Sequence, residues 1–174
     1  MARDPAETTI WTRKFFQFVA IGLVVVAALV AVVLWTTKGA HLRLEGNVQK
    51  VRIQETGEDS AIAVVDFRFR NPSDVSFVVQ EVSIFLVDGN GKEIEGMRAA
   101  EVDVQRIFQY YPLLGEKFNP VLRPRDQIAP HESMDRMVMA SFPVSEAVVQ
   151  QRKNLILRIE DVDGVVTEIA ERED

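Results

Sequence analysis

The 174-residue sequence contains no cysteine and only two histidines, His41 and His131. Without cysteine the chain forms no disulfide, thiolate zinc site or iron–sulfur cluster, and it has no cysteine nucleophile. Two histidines 90 positions apart offer little basis for an imidazole metal cluster. We therefore expect no metal site and no cofactor, and the length suits one domain of ordinary size.

Charge is absent from residues 15–35, and fourteen of these residues are Leu, Ile, Val or Phe. A helix of this length spans about 31 Å, which is close to the hydrocarbon thickness of a bilayer. Large apolar side chains at mid-membrane favour insertion. The stretch predicts a single transmembrane helix whose partner is the lipid bilayer. The alternative is a buried helix of a soluble domain.

The ends of this stretch carry residues typical of a membrane anchor. The only two tryptophans, Trp11 and Trp35, lie at or just beyond its ends, where indole rings favour the headgroup region. Arg13 and Lys14 precede the stretch and Lys38 follows it. Because no small-x-small cleavage site follows, we expect an uncleaved signal anchor. Lys and Arg counts near the two ends are equal, but the adjacent Arg13 and Lys14 favour a cytoplasmic amino terminus and an extracytoplasmic carboxy-terminal domain.

The anchor divides the chain into a short polar tail (residues 1–14), the helix (15–35), a linker (36–40) and a domain of residues 41–174. The domain carries 16 Lys and Arg and 24 Asp and Glu, a net charge of −8. A surface of that sign repels phosphate groups and anionic lipid headgroups, which argues against a nucleic-acid partner. Solubility alone is a sufficient reason for the acidity.

Within the domain the dominant pattern has period two. In residues 61–70 apolar side chains alternate with charged ones, which predicts a half-buried strand: Ala63, Val65, Phe67 and Phe69 on one face, Asp66, Arg68 and Arg70 on the other. Similar β-rich segments occur at residues 42–54, 75–87, 135–142 and 154–160. Gly, Pro, Asn and Asp separate them. About seven strands without βαβ alternation predict an immunoglobulin- or fibronectin-like antiparallel β-sandwich, mainly β, behind the transmembrane helix.

One short helix is inserted near residues 99–118. Residues 99–111 place Val104, Ile107, Phe108 and Tyr111 at helical spacing, and Pro112 ends the pattern. The helix either caps an open end of the sandwich or leaves an apolar cluster exposed. In the second case we expect a patch that docks a protein partner in or at the membrane, or the membrane itself. Its candidate residues are Phe108, Tyr110, Tyr111, Leu113 and Leu114.

The segment VVDFRFRNPSDVSFVVQEVSIFLVDGNGKEIEG, residues 64–96, resembles the late-embryogenesis-abundant type 2 family with its water-stress and hypersensitive-response domain. Asn71 and Pro72 match the family's Asn-Pro turn, and Gly91 matches its hairpin glycine. The resemblance covers residues 42–98 and 126–170. It implies a seven-stranded sandwich, often membrane-tethered, with no known active site and with links to stress tolerance or envelope interactions. A bacterial group with a zinc ribbon, a transmembrane helix and such a sandwich is also similar, but this chain has no cysteine for a ribbon.

Catalytic patterns are weak along the chain. His131, Glu132 and Ser133 are adjacent in a turn, so their side chains point in different directions and form no relay. The turns at residues 88–91 and 161–164 lack calcium-loop spacing. We expect a non-enzymatic, single-pass interaction or structural module, either an accessory subunit of a membrane complex or an envelope or stress-protection protein. The alternative is an enzyme or small-ligand carrier with a polar cleft between the inserted helix and the sandwich.

Overall fold

The computed structural model describes the backbone of residues 6–37 and 43–171 and the side chains of residues 15–32 and 43–171. The chain forms two compact units, Met1–His41 and Leu42–Asp174. The first contains helix α1, Ala6–Thr37. Within α1, Phe15–Val32 is long and apolar enough to cross a membrane, judged by length and composition.

Helix α1 is longer at both ends than its apolar stretch. Residues 6–14, which the sequence assigned to a polar tail, are helical, because extending an existing helix is easier than nucleating one. Trp11, Arg13, Lys14 and Trp35 therefore lie within the helical backbone, and their side chains lie outside the described residues. Lys38 lies outside the described residues altogether.

The second unit is mainly β, as predicted, and forms a curled, sandwich-like sheet with eight strands. The strands are β1 Glu45–Gly57, β2 Ser60–Arg70, β3 Phe77–Val87, β4 Glu93–Arg98, β5 Gln127–Ile128, β6 Ser133–Phe142, β7 Asn154–Asp161 and β8 Val166–Ala170. The helices are α2 Glu101–Tyr110, a 3₁₀ turn Pro112–Leu114 and α3 Glu146–Gln150. The five β-rich segments of the sequence analysis correspond to β1, β2, β3, β6 and β7, whereas the shorter β4, β5 and β8 were not located individually.

The strands pair in the order β1-β2-β6-β4-β3-β7-β8, with β5 beside β3, and all of these pairs are antiparallel. The strands form two layers, one with β1, β2 and β6 and the other with β3, β7 and β8. Strand β4 belongs to both layers, because Met97 and Arg98 pair with β6 while Glu93–Gly96 pairs with β3. Gly96 lies where β4 passes from one layer to the other. A Cβ there would lie 2.7 Å from the Phe142 ring, so the crossing requires glycine.

The main core lies between the two layers and is built from the inward residues of both. It includes the fully buried Phe67, Phe69, Phe77, Ile84, Leu86, Phe142, Leu155 and Leu157. Helix α3 adds Val149 to this core and packs beside β1 and β2. The sequence analysis missed α3, because five residues are too few to establish a helical period.

Strand β2 is buried on both faces, so the prediction of a half-buried strand is wrong from Ala61 to Phe67. A second apolar cluster covers its outer face and that of β6, and it consists of Ile62, Val64, Val104, Leu114, Val121, Met137 and Met139. Helix α2 and the segment after it supply part of this cluster. The inserted helix therefore covers a sheet face rather than an open end. The unbroken apolar run at residues 61–65 matches burial on both faces.

The Asn-Pro turn after β2 is held by the fully buried Asn71. Its Nδ2 donates to the carbonyls of Val75, Ile128 and Ala129 at 2.7, 3.2 and 3.3 Å. Its Oδ1 accepts from the Ser73 backbone N–H and hydroxyl at 3.1 and 2.7 Å. Asn71 thus joins the turn to the strand pair β3–β5 and satisfies polar groups that would otherwise be buried without partners.

Candidate functional site

The five candidate patch residues divide into exposed and buried groups. Tyr110 at the end of α2 and Leu113 in the 3₁₀ turn are 77% and 90% exposed. Phe108 and Tyr111 are half-buried and pack against the second cluster. Leu114 is only 1% exposed, so the expectation that it joins an exposed patch is wrong. The tight 3₁₀ turn points Leu113 outward and Leu114 into the cluster.

Arg52 of β1 holds this segment against the sheet. Its Nη1 donates to the carbonyls of Leu114 and Glu116, each at 2.7 Å. Its Nη2 donates to Oδ2 of Asp66 on the neighbouring strand, also at 2.7 Å. The other oxygen of Asp66 accepts from Asn119 Nδ2 at 2.9 Å. The buried pair therefore holds residues 114–119, part of the connection after α2, against the sheet.

Two aromatic rings pack against the Arg52 guanidinium. Its centre lies 5.2 Å from the Phe108 ring centroid and 5.1 Å from that of Phe118. A guanidinium between two rings adds cation–π attraction to its hydrogen bonds. Phe118 is 59% exposed, and its ring also lies 5.2 Å from Lys50 Nζ. The Phe118 ring thus packs on Arg52, while more than half of the Phe118 side chain remains exposed to solvent.

We define the docking surface as Tyr110, at the end of α2, together with Leu113 and Phe118 of the following segment, which Arg52 holds against the sheet. The sequence analysis missed Phe118 because it lies beyond the helical pattern, in a turn-rich stretch. It also missed Arg52 and Asp66, whose pairing depends on the register of β1 against β2. The one available signal was the charged Asp66 directly after the apolar run of residues 61–65.

Several charged side chains lie close to the docking surface. Arg106 lies four residues before Tyr110 and hence on the same side of α2. Lys117 precedes Phe118, and Lys50 contacts its ring. Within residues 106–118 the one acidic side chain is Glu116. Arg106 forms an exposed ion pair with Asp103 at 3.9 Å.

The space between α2 and the sheet is filled by the second apolar cluster. A shallow groove runs beside α2, lined by Met97, Ala99, Asp103, Ile107 and Met139 among others. Over residues 15–32 and 43–171 no three His, Asp or Glu side chains come together as a metal site. Tyr110, Leu113 and Phe118 thus remain exposed beside a filled apolar cluster.

The adjacent His131, Glu132 and Ser133 do not act as a unit. The His131 Nε2 lies 2.9 Å from Asp74 Oδ1 at the surface. The Glu132 carboxylate accepts from the Ala129 backbone N–H at 2.8 Å. These side chains close the turn before β6.

Two carboxyl groups with shifted pKa values lie outside the docking surface. Hydrogen bonds from Arg68 hold the pKa of Asp135 below its usual value, and the Coulomb attraction of Arg68 adds to this. The pKa of Asp88 is lowered by the backbone N–H of Lys92 in the turn between β3 and β4. Both groups are at the surface, so their shifts bear on stability at low pH.

No family model matches this sequence. No curated protein matches it either. Among solved structures, an uncharacterized β-sandwich protein from Clostridium difficile 630 is 10% identical, with a TM-score of 0.39, and the match covers 75% of this chain and 86% of that one. The archaellum periplasmic stator protein FlaG from Sulfolobus acidocaldarius is 11% identical, with a TM-score of 0.31, over 73% of this chain and 98% of that one.

A third structure is the complex of the archaellum stator proteins FlaF and FlaG from the same organism. It is 11% identical with a TM-score of 0.31, over 72% of this chain and 86% of the matched one. Likeness at this level assigns no function to the chain, so its own residues must indicate one.

Proposed function

We propose that this chain is a single-pass membrane protein whose sandwich is a non-enzymatic interaction module. The observation that carries the proposal is the exposure of Tyr110 and Leu113 next to residues 114–116, which Arg52 holds against the sheet. Exposed apolar side chains on a rigid support are typical of contact surfaces, because little side-chain and loop entropy is lost on binding. The apolar stretch of α1 supports the membrane anchor.

The enzyme or carrier alternative requires a deep pocket with convergent polar groups between α2 and the sandwich. The apolar cluster around Val104, Leu114 and Met137 fills that space instead. The groove beside α2 is open and shallow. These observations favour the interaction module over the alternative.

The proposed orientation places the amino terminus in the cytoplasm and the sandwich outside it, on the strength of the adjacent Arg13 and Lys14. In that place the chain acts as an accessory subunit of a membrane complex or as an envelope or stress-protection protein, with a protein partner in or at the membrane. We also propose a distant kinship with the late-embryogenesis-abundant type 2 domains. The buried Asn71 turn and the hairpin Gly91, with φ of 86°, support that kinship.

The absence of cysteine allows a direct test of orientation. A single Val162→Cys variant places a thiol in the exposed turn between β7 and β8. We expect a membrane-impermeant maleimide to label this thiol in intact cells whose outer barrier admits the reagent. Labelling only after cell lysis contradicts the orientation, and loss of the protein from washed membranes contradicts the anchor.

A second experiment tests the docking surface. The double variant Tyr110→Ser and Leu113→Ser changes two exposed side chains and leaves the Arg52 contacts in place. We expect the double variant to fold like the parent. We also expect it to lose the interaction with a protein partner that is measured for the parent in membranes. A matched control, Val162→Ser, also removes an exposed apolar side chain and should retain that interaction.

A further inference from the structure

We propose that Met97 is a reversible oxidation site of the folded domain, at which a peroxide forms methionine sulfoxide while the sandwich stays intact. The site needs neither the membrane anchor nor a partner, so it goes beyond the proposed interaction module. Its basis is the different burial of the methionine side chains in the second unit and the different surroundings of their sulfur atoms.

The methionines of the second unit differ sharply in exposure. Met97 of β4 is 78% exposed. Met134 is half-buried and packs against the main core, while Met137 and Met139 are buried in the second apolar cluster. An oxidant in solution therefore reaches the Met97 sulfur directly, whereas it reaches the buried sulfurs only when the structure opens.

The oxidation uses a peroxide as its only co-reactant. The thioether sulfur attacks one oxygen of hydrogen peroxide, so that a sulfur–oxygen bond forms as the oxygen–oxygen bond breaks. The other oxygen leaves as hydroxide, takes the proton of the transferred hydroxyl group and becomes water. The sulfur is oxidised, the peroxide is reduced, and the product is methionine sulfoxide, which methionine sulfoxide reductases convert back to methionine.

The position of Met97 in the sheet accommodates this polar product. Met97 lies directly opposite Ser141 in the antiparallel pair of β4 and β6, so their side chains are neighbours on the same face. The Ser141 hydroxyl can therefore donate a hydrogen bond to the sulfoxide oxygen. Solvent also reaches the position, because Met97 and Ser141 line two open grooves, one beside α2 and one at the turn between β1 and β2.

The same oxidation at the buried methionines would disrupt the packing. Met137 and Met139 lie among apolar side chains of the second cluster, such as Val104. A sulfoxide oxygen placed there would lose its contact with water without gaining a hydrogen-bond partner, which destabilises the folded state. Oxidation at Met97 instead adds a polar group to the two grooves and leaves both apolar clusters unchanged.

The first experiment exposes the full chain, in peroxide-free detergent micelles, to hydrogen peroxide and follows each methionine by tandem mass spectrometry of its peptides. We expect Met97 to be oxidised about tenfold or more faster than Met137 and Met139, because the buried sulfurs react only in opened states. The control is the same chain unfolded in urea, in which the three rates should become similar. Equal rates in the folded chain, or the same ranking of rates in urea, would overturn the proposal.

A matched pair of variants tests whether the fold tolerates a polar group at each position. Glutamine is similar in length to methionine and ends in a polar group, so Met97→Gln and Met139→Gln imitate the two sulfoxides. The urea midpoint of Met97→Gln should equal that of the parent, whereas that of Met139→Gln should fall. The parent oxidised at Met97 alone should also keep its midpoint, and this comparison does not require Met139→Gln to fold. A lower midpoint after oxidation at Met97 contradicts an oxidation site that preserves the fold.

Reversal is tested on the folded, oxidised chain with methionine sulfoxide reductases for both sulfoxide epimers and dithiothreitol. We expect the Met97 peptide to lose its added oxygen, because the exposed side chain is accessible to the reductases. The control substrate is the excised Met97 peptide carrying the same sulfoxide. Reduction of the peptide without reduction of the folded chain would show that the reductases cannot reach the site, and would overturn its reversibility.

Discussion

Arg52 and Asp66 form a 2.7 Å ion pair between neighbouring strands, and their side chains are only 9% and 4% exposed. The same guanidinium donates to two carbonyls after α2 and packs between Phe108 and Phe118. One side chain of the sheet therefore contacts both α2, through Phe108, and the segment that carries Leu113 and Phe118. The two residues that support the proposed contact surface, Arg52 and Asp66, therefore belong to the sheet itself.

Removing Arg52 should destabilise the domain strongly. Arg52→Ala leaves the buried Asp66 carboxylate without its cation, and breaking a buried pair in this way costs about 3–5 kcal/mol. The free energy of unfolding can be measured by pulse proteolysis of the detergent-solubilised chain in urea. The control Arg106→Ala breaks only an exposed pair with Asp103 and should have almost no effect. Similar effects of the two variants would contradict the structural role of Arg52.

The Asn71 turn predicts a second large effect. Asn71→Ala removes the donor for three carbonyls and the acceptor for Ser73, so we expect a loss of roughly 3 kcal/mol as buried polar groups lose their partners. The same proteolysis assay measures it. Asp74→Ala, in the same turn but with a side chain 96% exposed, should change stability little. A neutral Asn71→Ala variant would show that the turn closes without this side chain.

Gly96 gives a test of the crossing between the layers. Gly96→Ala places a methyl group 2.7 Å from the Phe142 ring, and overpacking of this kind costs about 1–3 kcal/mol. Gly57→Ala is the matched control, since its nearest neighbour atom lies at 3.9 Å, and it should stay within about 0.5 kcal/mol of the parent. Thermal unfolding of the three proteins compares them directly. An unaffected Gly96→Ala protein would mean that β4 crosses elsewhere.

Stability should depend on Asp135 at low pH. Hydrogen bonds from Arg68 lower its pKa in the folded state, so its contribution is full above the unfolded pKa of about 3.9 and is lost as pH falls through the lower folded pKa. Asp135→Asn should therefore be less stable than the parent at neutral pH, and the difference should shrink below about pH 4. Urea midpoints measured across the acid range test this. A difference that is constant down to the lowest pH contradicts the pair.

Much of the fold follows from local patterns in the sequence. The alternation through Phe67 and Phe69 predicts strand β2, and the spacing of Val104, Ile107 and Phe108 predicts helix α2. These patterns depend on neighbours within a few positions. The apolar stretch of α1 is visible for the same reason, because length and composition alone define it.

The support of the docking surface could not be predicted in this way. Arg52 and Asp66 are 14 positions apart, and a register shift in β1 between Val48 and Lys50 changes which residues are neighbours. Leu113 is exposed and Leu114 is buried because they lie in the 3₁₀ turn, in which adjacent side chains point to different sides. Both features arise from tertiary packing, which a pattern in a single sequence does not record.

The central claim is that α1 remains in the chain and anchors the sandwich in a membrane. The most direct measurement is the intact mass of the protein recovered from alkaline-washed membranes. We predict one species at the full 19.6 kDa in the membrane fraction. A shorter species in the soluble fraction, lacking the apolar stretch of α1, would show a cleaved signal sequence and contradict the account.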